Sequence, residues 1–250
     1  MSRRFFAAGL HLLISVMIGA LAALVVFLIW YPPPYGSIAG GLSLFLLLVS
    51  VDVMLGPALT AVAASPGKPR AELRRDLIFI IAVQLAAFSY GIHTIATARP
   101  VYLSFEIDRM RVVTAADIEP ESLRDAPPGL RKLPWLGPKQ IAAVRPTDLD
   151  EQLKSIDLGL AGFDLSMIPR NWRTYESQSE AAWRKSRPVS LLTSKYPNLE
   201  AQIKEIATDA GQPVVGLRFL PLISRQVSWV ALVAAPGARI VGYLPVDGFF

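Results

Sequence analysis

The sequence predicts a membrane protein with three transmembrane α-helices, followed by an extramembrane α+β domain that contains an antiparallel sheet. Three apolar runs within the first hundred residues are each long enough to cross a hydrocarbon core of ~30 Å. Only 18% of the 250 residues are charged, whereas a typical soluble domain carries about 25%. Past residue 100 the composition becomes that of an ordinary soluble domain. These observations predict a membrane domain at residues 1–99 and an α+β domain at residues 100–250.

The first transmembrane helix is predicted at about 5–30. Arg3 and Arg4 precede this run, as in a signal peptide, but the apolar region of a signal peptide has only about 7–15 residues. The run ends in an aromatic and proline-rich segment, Trp30-Tyr31-Pro32-Pro33-Pro34-Tyr35, which lacks a small-x-small cleavage site. We therefore expect a retained membrane anchor, and the three prolines favour a short extended connection to the next span.

The second span, at about 38–64, contains the only acidic residue among the first seventy positions, Asp52. An aspartate at the centre of a bilayer costs roughly 2.5–3.5 kcal/mol in translocon-based scales, so a compensating contact is expected. Gly56 and Pro57 follow about one turn later and predict a kink in the same stretch. Asp52 either packs against Gln84 or Tyr90 of the third span or offers a contact to a partner helix. A proton or ion pathway is disfavoured, because such pathways usually need several intramembrane ionisable groups.

The third span is predicted at about 77–98, after a charged loop that includes Arg74, Arg75 and Asp76. Basic residues lie at the N-terminus and in this loop but not between the first two spans, so the positive-inside rule predicts that both are cytoplasmic. Everything after Arg99 then lies on the far side, which in a bacterium is the periplasm. The loop supplies topogenic charge, or alternatively binds a cytoplasmic partner or anionic lipid. Topology explains the net charge of +5, so no nucleic-acid partner is expected.

The extramembrane region predicts an α+β domain, because helical patterns occupy its centre and strand patterns its two ends. We expect strands at 101–105 and 109–113, a proline-rich irregular stretch at 120–146, helices at 148–158, 171–186 and 198–210, and strands at 214–222, 227–234 and 239–244. Thr147 is expected to cap the first of these helices. The last three strands are expected to form an antiparallel meander.

Trp172, Tyr175 and Trp183 share one side of the predicted helix at 171–186. This aromatic stripe either packs into the core of the domain or forms an exposed docking surface. Trp172 and Tyr175 are therefore candidate partner-contact residues.

No common catalytic arrangement occurs in the sequence. Cysteine is absent, and the region after Arg99 lacks histidine, a glycine-rich phosphate loop and a nucleophile elbow. His11 and His93 lie in different spans, and Asp52 is the only acidic candidate for a third metal ligand. Acidic pairs in the extramembrane region fall in turns and helix starts, where they are expected to be solvated or to cap helices. We therefore expect no enzyme activity, metal or cofactor, although a hydrolase with two catalytic carboxylates stays an alternative.

The chain resembles the TfpX/TfpZ family of type IV pilin accessory proteins over essentially its full length. Little of the stretch from about residue 117 to 169 contributes to this resemblance. The matching segments are Trp30-Tyr31-Pro32-Pro33-Pro34, Val51-Asp52-Val53-Met54-Leu55-Gly56-Pro57-Ala58-Leu59-Thr60, Lys68-Pro69-Arg70, Glu72-Leu73-Arg74-Arg75-Asp76-Leu77, Gln84-Leu85-Ala86-Ala87, Tyr90-Gly91, Arg99-Pro100-Val101 and Val241-Gly242-Tyr243-Leu244-Pro245-Val246-Asp247.

The resemblance implies a non-enzymatic, chaperone-like protein of the bacterial inner membrane that supports the stability and assembly of a cognate type IV pilin. The implied partners are the major pilin, the lipid bilayer and other pilus assembly proteins. No catalytic residue is carried over from the family. The alternative function is that of a membrane enzyme that modifies pilin or envelope glycans.

Overall fold

The computed structural model of the chain describes residues 3–65, 67–160, 162–224 and 227–250. The side chains of Arg3, Arg4 and Ile156 lie outside this description, so the topogenic role predicted for the two arginines stays a prediction. The chain divides into two compact units, Met1–Arg99 and Pro100–Phe250, which we call the helical unit and the sheet unit.

Among the described residues of the helical unit, three helices are each long and apolar enough to cross a membrane. Helix α1 covers Arg3–Leu24 and continues as a π-helical segment over Val25–Trp30. The bounds of the others are Tyr35–Ile38 for the short α2, Gly41–Ala63 for α3 and Arg70–Thr97 for α4. Helix α4 begins seven residues before the predicted third span, because the charged segment before the apolar run is also helical and carries Glu72 in its first turn, where the helix dipole favours an acid.

Helix α3 is the central helix of this unit and packs against both α1 and α4. Its neighbours approach closely where glycine removes a side chain: the Tyr31 ring lies against Gly41, and Leu48 of α3 lies against Gly91 of α4. The Tyr31 hydroxyl donates a hydrogen bond to the carbonyl oxygen of Ile95 at 3.0 Å. Tyr31 therefore holds the connection after α1 against both α3 and α4, and side chains of all three helices meet there in one apolar cluster.

The sheet unit is built on eight strands in the order β4-β3-β1-β2-β6-β7-β8, and β5 pairs with β6 beside this path. The strands are β1 Pro100–Glu106, β2 Arg109–Thr114, β3 Lys139–Ala143, β4 Trp172–Thr174, β5 Arg187–Pro188, β6 Arg218–Ile223, β7 Ser228–Ala234 and β8 Arg239–Leu244. The β1–β2 hairpin and the antiparallel β6–β7–β8 meander confirm the prediction. The β1–β3 and β2–β6 pairs are parallel, so the sheet is mixed but mostly antiparallel. The predicted fold class, three apolar helices followed by an α+β unit, is confirmed.

The α-helices in the described part of the sheet unit are α5 Leu149–Leu160, α6 Ser179–Lys185, α7 Ser190–Lys195 and α8 Glu200–Asp209. Helix α8 agrees with the predicted helix at 198–210. The cap predicted at Thr147 is wrong by one residue, because Asp148 Oδ1 accepts the backbone N–H of Glu151 at 3.1 Å. The stretch predicted to be irregular at 120–146 contains β3, a five-residue strand that begins with the polar pair Lys139 and Gln140.

The predicted helix at 171–186 is wrong in its first half. Trp172–Thr174 forms β4, and only Ser179–Lys185 is α-helical. Ala143 of β3 pairs with Trp172, so tertiary pairing replaces the local helical pattern there. The aromatic stripe along one helix therefore does not exist.

Candidate functional site

The most distinctive site in the helical unit is a groove between α1 and α4, with α3 as its floor. Its volume is about 320 Å³. Its walls are mostly apolar, and its floor carries polar groups. The α1–α4 groove is lined by Ala7, Leu10, His11, Ile14, Ser15, Ile18, Asp52, Thr60, Leu77, Ile81, Gln84, Leu85 and Phe88.

The polar groups of the groove come from all three helices and contact one another. His11 Nδ1 of α1 and Thr60 Oγ1 of α3 are hydrogen-bonded at 2.6 Å, and Thr60 is only 2% exposed. The Asp52 carboxylate of α3 has the Gln84 side chain of α4 as a hydrogen-bond partner and lies close enough to His11 for an electrostatic interaction. The contact predicted between Asp52 and Gln84 is therefore present in the structure. The floor forms one connected polar cluster, His11–Asp52–Thr60–Gln84.

Gly56 allows this cluster to form. A β-carbon at Gly56 would lie 3.0 Å from His11 Nε2 and closer still to Gln84 Nε2, so these two side chains occupy the space that any other residue would fill. The following Pro57 lies inside α3, which stays helical from Gly41 to Ala63. Pro57 has no N–H to donate to the carbonyl of Val53, so the backbone of α3 is locally under-bonded beside the cluster.

One hydrogen-bond acceptor of the cluster is not used. Gln84 Oε1 is buried and has no hydrogen-bond partner in the part of the chain that the structure describes. Inside a bilayer no water is available to satisfy such a group, and an unpaired polar group there is costly. The described residues also contain no group of three or more His, Asp or Glu side chains that could hold a metal ion. The chemistry that the groove offers is therefore hydrogen bonding to another molecule in an apolar setting.

Tyr90 does not belong to the cluster. It is 75% exposed and lies along a second recess between α3 and α4, of about 230 Å³, which Asp52 also borders. Asp52 thus lies between the two recesses, with Gln84 on one side and Tyr90 on the other.

The charged residues at the start of α4 form a separate group. Asp76 pairs with Lys68, and its Oδ1 lies 3.9 Å from Arg75 Nε. Lys68, Arg75 and Asp76 border a recess of about 530 Å³ whose remaining wall is mainly apolar. Arg74 is exposed and does not border this recess.

The two aromatic candidates of the sheet unit lie in its interior. Trp172 is fully buried and donates Nε1–H to the Ser166 carbonyl at 2.8 Å. Tyr175 is 5% exposed and donates its hydroxyl to the Ala238 carbonyl at 2.7 Å. Burial raises the pKa of Tyr175 to about 12. Neither side chain is presented to a partner in this structure.

His11 and Thr60 are the two cluster residues that the sequence did not single out as candidate partner-contact residues. The sequence signal was present, since His11 is one of only two polar residues within the first apolar run. To predict that His11 contacts Thr60 and lies near Asp52, one must know how α1 is rotated relative to α3. The spacing of apolar residues does not give this rotation.

Comparison with known proteins identifies relatives along the whole chain. The family model of the fimbrial assembly protein FimB matches residues 1–40. The fimbrial assembly protein of serogroup I of Dichelobacter nodosus is 35% identical over 252 aligned positions, which cover 99% of this chain and 98% of the relative. The serogroup E1 protein of the same organism is 33% identical with the same coverage. The protein of serogroups C1 and C2 is 42% identical over 127 positions, which cover 50% of this chain and 97% of that relative.

No solved structure matches the chain significantly. The assignment therefore depends on the sequence relatives, two of which exceed 30% identity over nearly their full length. The chain belongs to the family of fimbrial assembly proteins.

Proposed function

We propose that this chain is a non-enzymatic accessory protein of the bacterial inner membrane that supports the stability and assembly of a cognate type IV pilin. The proposal extends the family assignment to the more specific function that the resemblance to the TfpX/TfpZ family implies. The relatives are named as fimbrial assembly proteins, and three helices of this chain are long and apolar enough to span a bilayer.

The observation that carries the proposal is the α1–α4 groove with its polar cluster. Transmembrane helices associate through close packing and interhelical hydrogen bonds, because lipid tails are as apolar as the helices themselves. The groove supplies both, since apolar side chains form its walls and a buried acceptor on Gln84 lies at its floor. A pilin that waits in the membrane as a single apolar helix would be held there until it enters the fibre.

The sheet unit supplies a second contact in this proposal. If the N-terminus and the loop before α4 are cytoplasmic, as the positive-inside rule predicts, residues 100–250 would lie in the periplasm, beside the globular part of a membrane-anchored pilin. Two linked weak contacts raise the effective affinity well above that of either contact alone.

The orientation has a direct test. An alkaline phosphatase fusion after Asp247 should be active, because the enzyme matures only in the periplasm, and a fusion at Pro69 should be inactive. The reverse pattern would overturn the orientation and with it the periplasmic contact.

The function is tested by deleting the gene. We expect the pilin protein level and surface piliation to fall while the pilin transcript level is unchanged, and a plasmid copy should restore both. Normal pilin abundance and normal twitching motility in the deletion strain would contradict the proposal. An unchanged pilin mass in that strain would count against the alternative, a membrane enzyme that modifies pilin or envelope glycans.

The groove is tested by site-specific crosslinking in membranes. A photo-crosslinking residue at Ile81, which lines the α1–α4 groove, should capture the pilin. The same residue at Met54, which is 70% exposed and borders none of the three recesses described above, should capture mainly lipid. Equal capture of pilin from both positions would exclude the groove as the docking place.

A further inference from the structure

Helix α5 of the sheet unit presents its apolar side to the outside. Leu149 is 71% exposed, Leu153 55% and Leu160 85%. On the other side of the helix, Gln152 and Ser155 border a cavity of about 520 Å³, and the partly buried Leu158 borders a recess with Ile168. A surface helix normally buries its apolar stripe against its own core, so α5 has the reverse orientation. No described residue covers this stripe.

Two polar contacts link α5 to neighbouring segments of the sheet unit. Gln152 Nε2 donates to the Pro146 carbonyl at 3.1 Å, and Glu151 lies 3.9 Å from Arg170. Exposed ion pairs of this kind contribute little to stability. These contacts leave Leu149, Leu153 and Leu160 exposed and available to another molecule.

The apolar stripe has the spacing of a helix-pairing seam. Leu149, Leu153 and Leu160 are separated by four and seven residues, which matches d, a and a positions of a heptad with its 3.5-residue period. A seam with this period fits a second helix lying alongside α5.

The charges beside the seam indicate which helix would fit. With Leu153 and Leu160 at a positions, Asp150 and Asp157 both fall at e positions, next to the seam. Helix α5 as a whole contains three acids and one lysine, a net charge of −2. Charges at e and g positions determine which partner is accepted.

We propose that α5 binds an amphipathic helix of a partner protein whose apolar stripe is flanked by lysine or arginine. A second copy of this chain fits less well, because an antiparallel pair of α5 helices would bring the aspartates at e positions together. An anionic membrane surface also fits less well, because helices that lie in the membrane interface carry basic residues on their polar side. The proposal concerns a surface separate from the α1–α4 groove and does not depend on it.

The test uses the full chain in nanodiscs of uncharged zwitterionic lipid and two synthetic helical peptides as probes. The peptides share the same apolar heptad positions and carry either lysine or glutamate at every flanking position. Fluorescence anisotropy should show that the lysine peptide binds about tenfold more tightly than the glutamate peptide. This difference should shrink as the salt concentration rises, because exposed charges are screened.

Charge reversal is the decisive variant. Replacing Asp150→Lys together with Asp157→Lys should reverse the preference, so that the glutamate peptide binds more tightly. Replacing Leu153→Ser together with Leu160→Ser should abolish binding of both peptides. Leu136→Ser, at a leucine that is 77% exposed elsewhere in the sheet unit, is the matched control and should leave binding unchanged.

Three outcomes would overturn the proposal. Equal binding of both peptides, or a preference that ignores the charge reversal, would show that no basic helix is selected. Self-association of the chain that disappears in the Leu153→Ser, Leu160→Ser variant would assign the seam to a second copy. Partition of the sheet unit onto anionic vesicles that disappears in the same variant would assign it to the membrane surface.

Discussion

Gln84 of α4 lies directly against the backbone of Gly56 in α3, and the His11 ring of α1 approaches the same point. Polar side chains from two helices therefore meet at the one position in this part of α3 that has no side chain of its own. The resulting cluster forms the floor of the α1–α4 groove, so the groove's chemistry depends on a glycine.

Gly56→Ala should disrupt this arrangement. The added methyl group would displace the Gln84 amide and crowd His11, and overpacking of this kind typically costs about 1–3 kcal/mol of the free energy of unfolding. The measurement is the unfolding of the purified chain in detergent, followed by circular dichroism. Gly9→Ala is the matched control, because a β-carbon at Gly9 meets nothing within 4 Å. That variant should be neutral or up to about 1 kcal/mol more stable, since alanine is the better helix former; equal effects of the two changes would contradict the prediction.

The sequence singled out the stretch around Gly56 and Pro57 but did not predict the role of Gly56. Gly56 and Pro57 were interpreted as a kink, whereas the close approach of Gln84 and His11 is what requires glycine. Apolar runs reveal where helices lie because burial in lipid needs about twenty apolar residues. Which sides of those helices meet depends on packing between side chains far apart in the sequence, and His11 was missed for that reason.

The hydrogen bond between His11 and Thr60 should stabilise the packing of α1 on α3. Interhelical hydrogen bonds in membranes contribute about 0.6 kcal/mol on average, because the separated helices also find partners. A double-mutant cycle of His11→Phe and Thr60→Val should therefore give a coupling free energy of about that size, measured from unfolding in detergent. A coupling near zero would show that the 2.6 Å contact contributes nothing to stability.

Asp52 is expected to act as a hydrogen-bonding group and not through its charge. Asp52→Asn keeps a polar side chain beside Gln84, so the protein level and pilin level should both stay normal. Asp52→Leu removes a residue that costs roughly 2.5–3.5 kcal/mol at a bilayer centre. It also leaves Gln84 and His11 without this partner, and we expect normal protein but reduced pilin.

The control for these changes is Met54→Leu, at a 70% exposed position of the same helix, which should change neither level. Loss of piliation in Asp52→Asn with a normal level of the variant would instead indicate recognition by charge.

In the sheet unit, short runs rich in β-branched and aromatic residues predicted the strands at both ends, and these strands pair with neighbours in the hairpin or the meander. The helix predicted at 171–186 is wrong in its first half, because the spacing of three between Trp172 and Tyr175 is also compatible with a strand followed by a turn. Trp172 is held by pairing with Ala143 and by its bond to Ser166, and both contacts are distant in the sequence from the helical pattern. Long-range pairing decides the structure where local propensity is ambiguous.

Tyr175 should make the stability of the sheet unit depend on alkaline pH. Burial raises the pKa of Tyr175, and likewise that of Tyr102, from 10.0 to about 12. Because the folded state favours the protonated phenol, its contribution is fully present below pH 10 and is lost as the pH rises towards 12. Each shift corresponds to roughly 2–3 kcal/mol. Chemical denaturation of the chain in detergent at several pH values should therefore show a fall in the free energy of unfolding across this range.

Tyr175→Phe separates the two tyrosines. Near neutral pH the variant should be about 1–3 kcal/mol less stable, because the buried carbonyl of Ala238 loses the donor at 2.7 Å. Phenylalanine cannot ionise, so the variant avoids the cost of deprotonating Tyr175, and its deficit relative to the original chain should shrink between pH 10 and 12. A deficit that stays constant across this range would show that Tyr175 does not resist ionisation in the folded state.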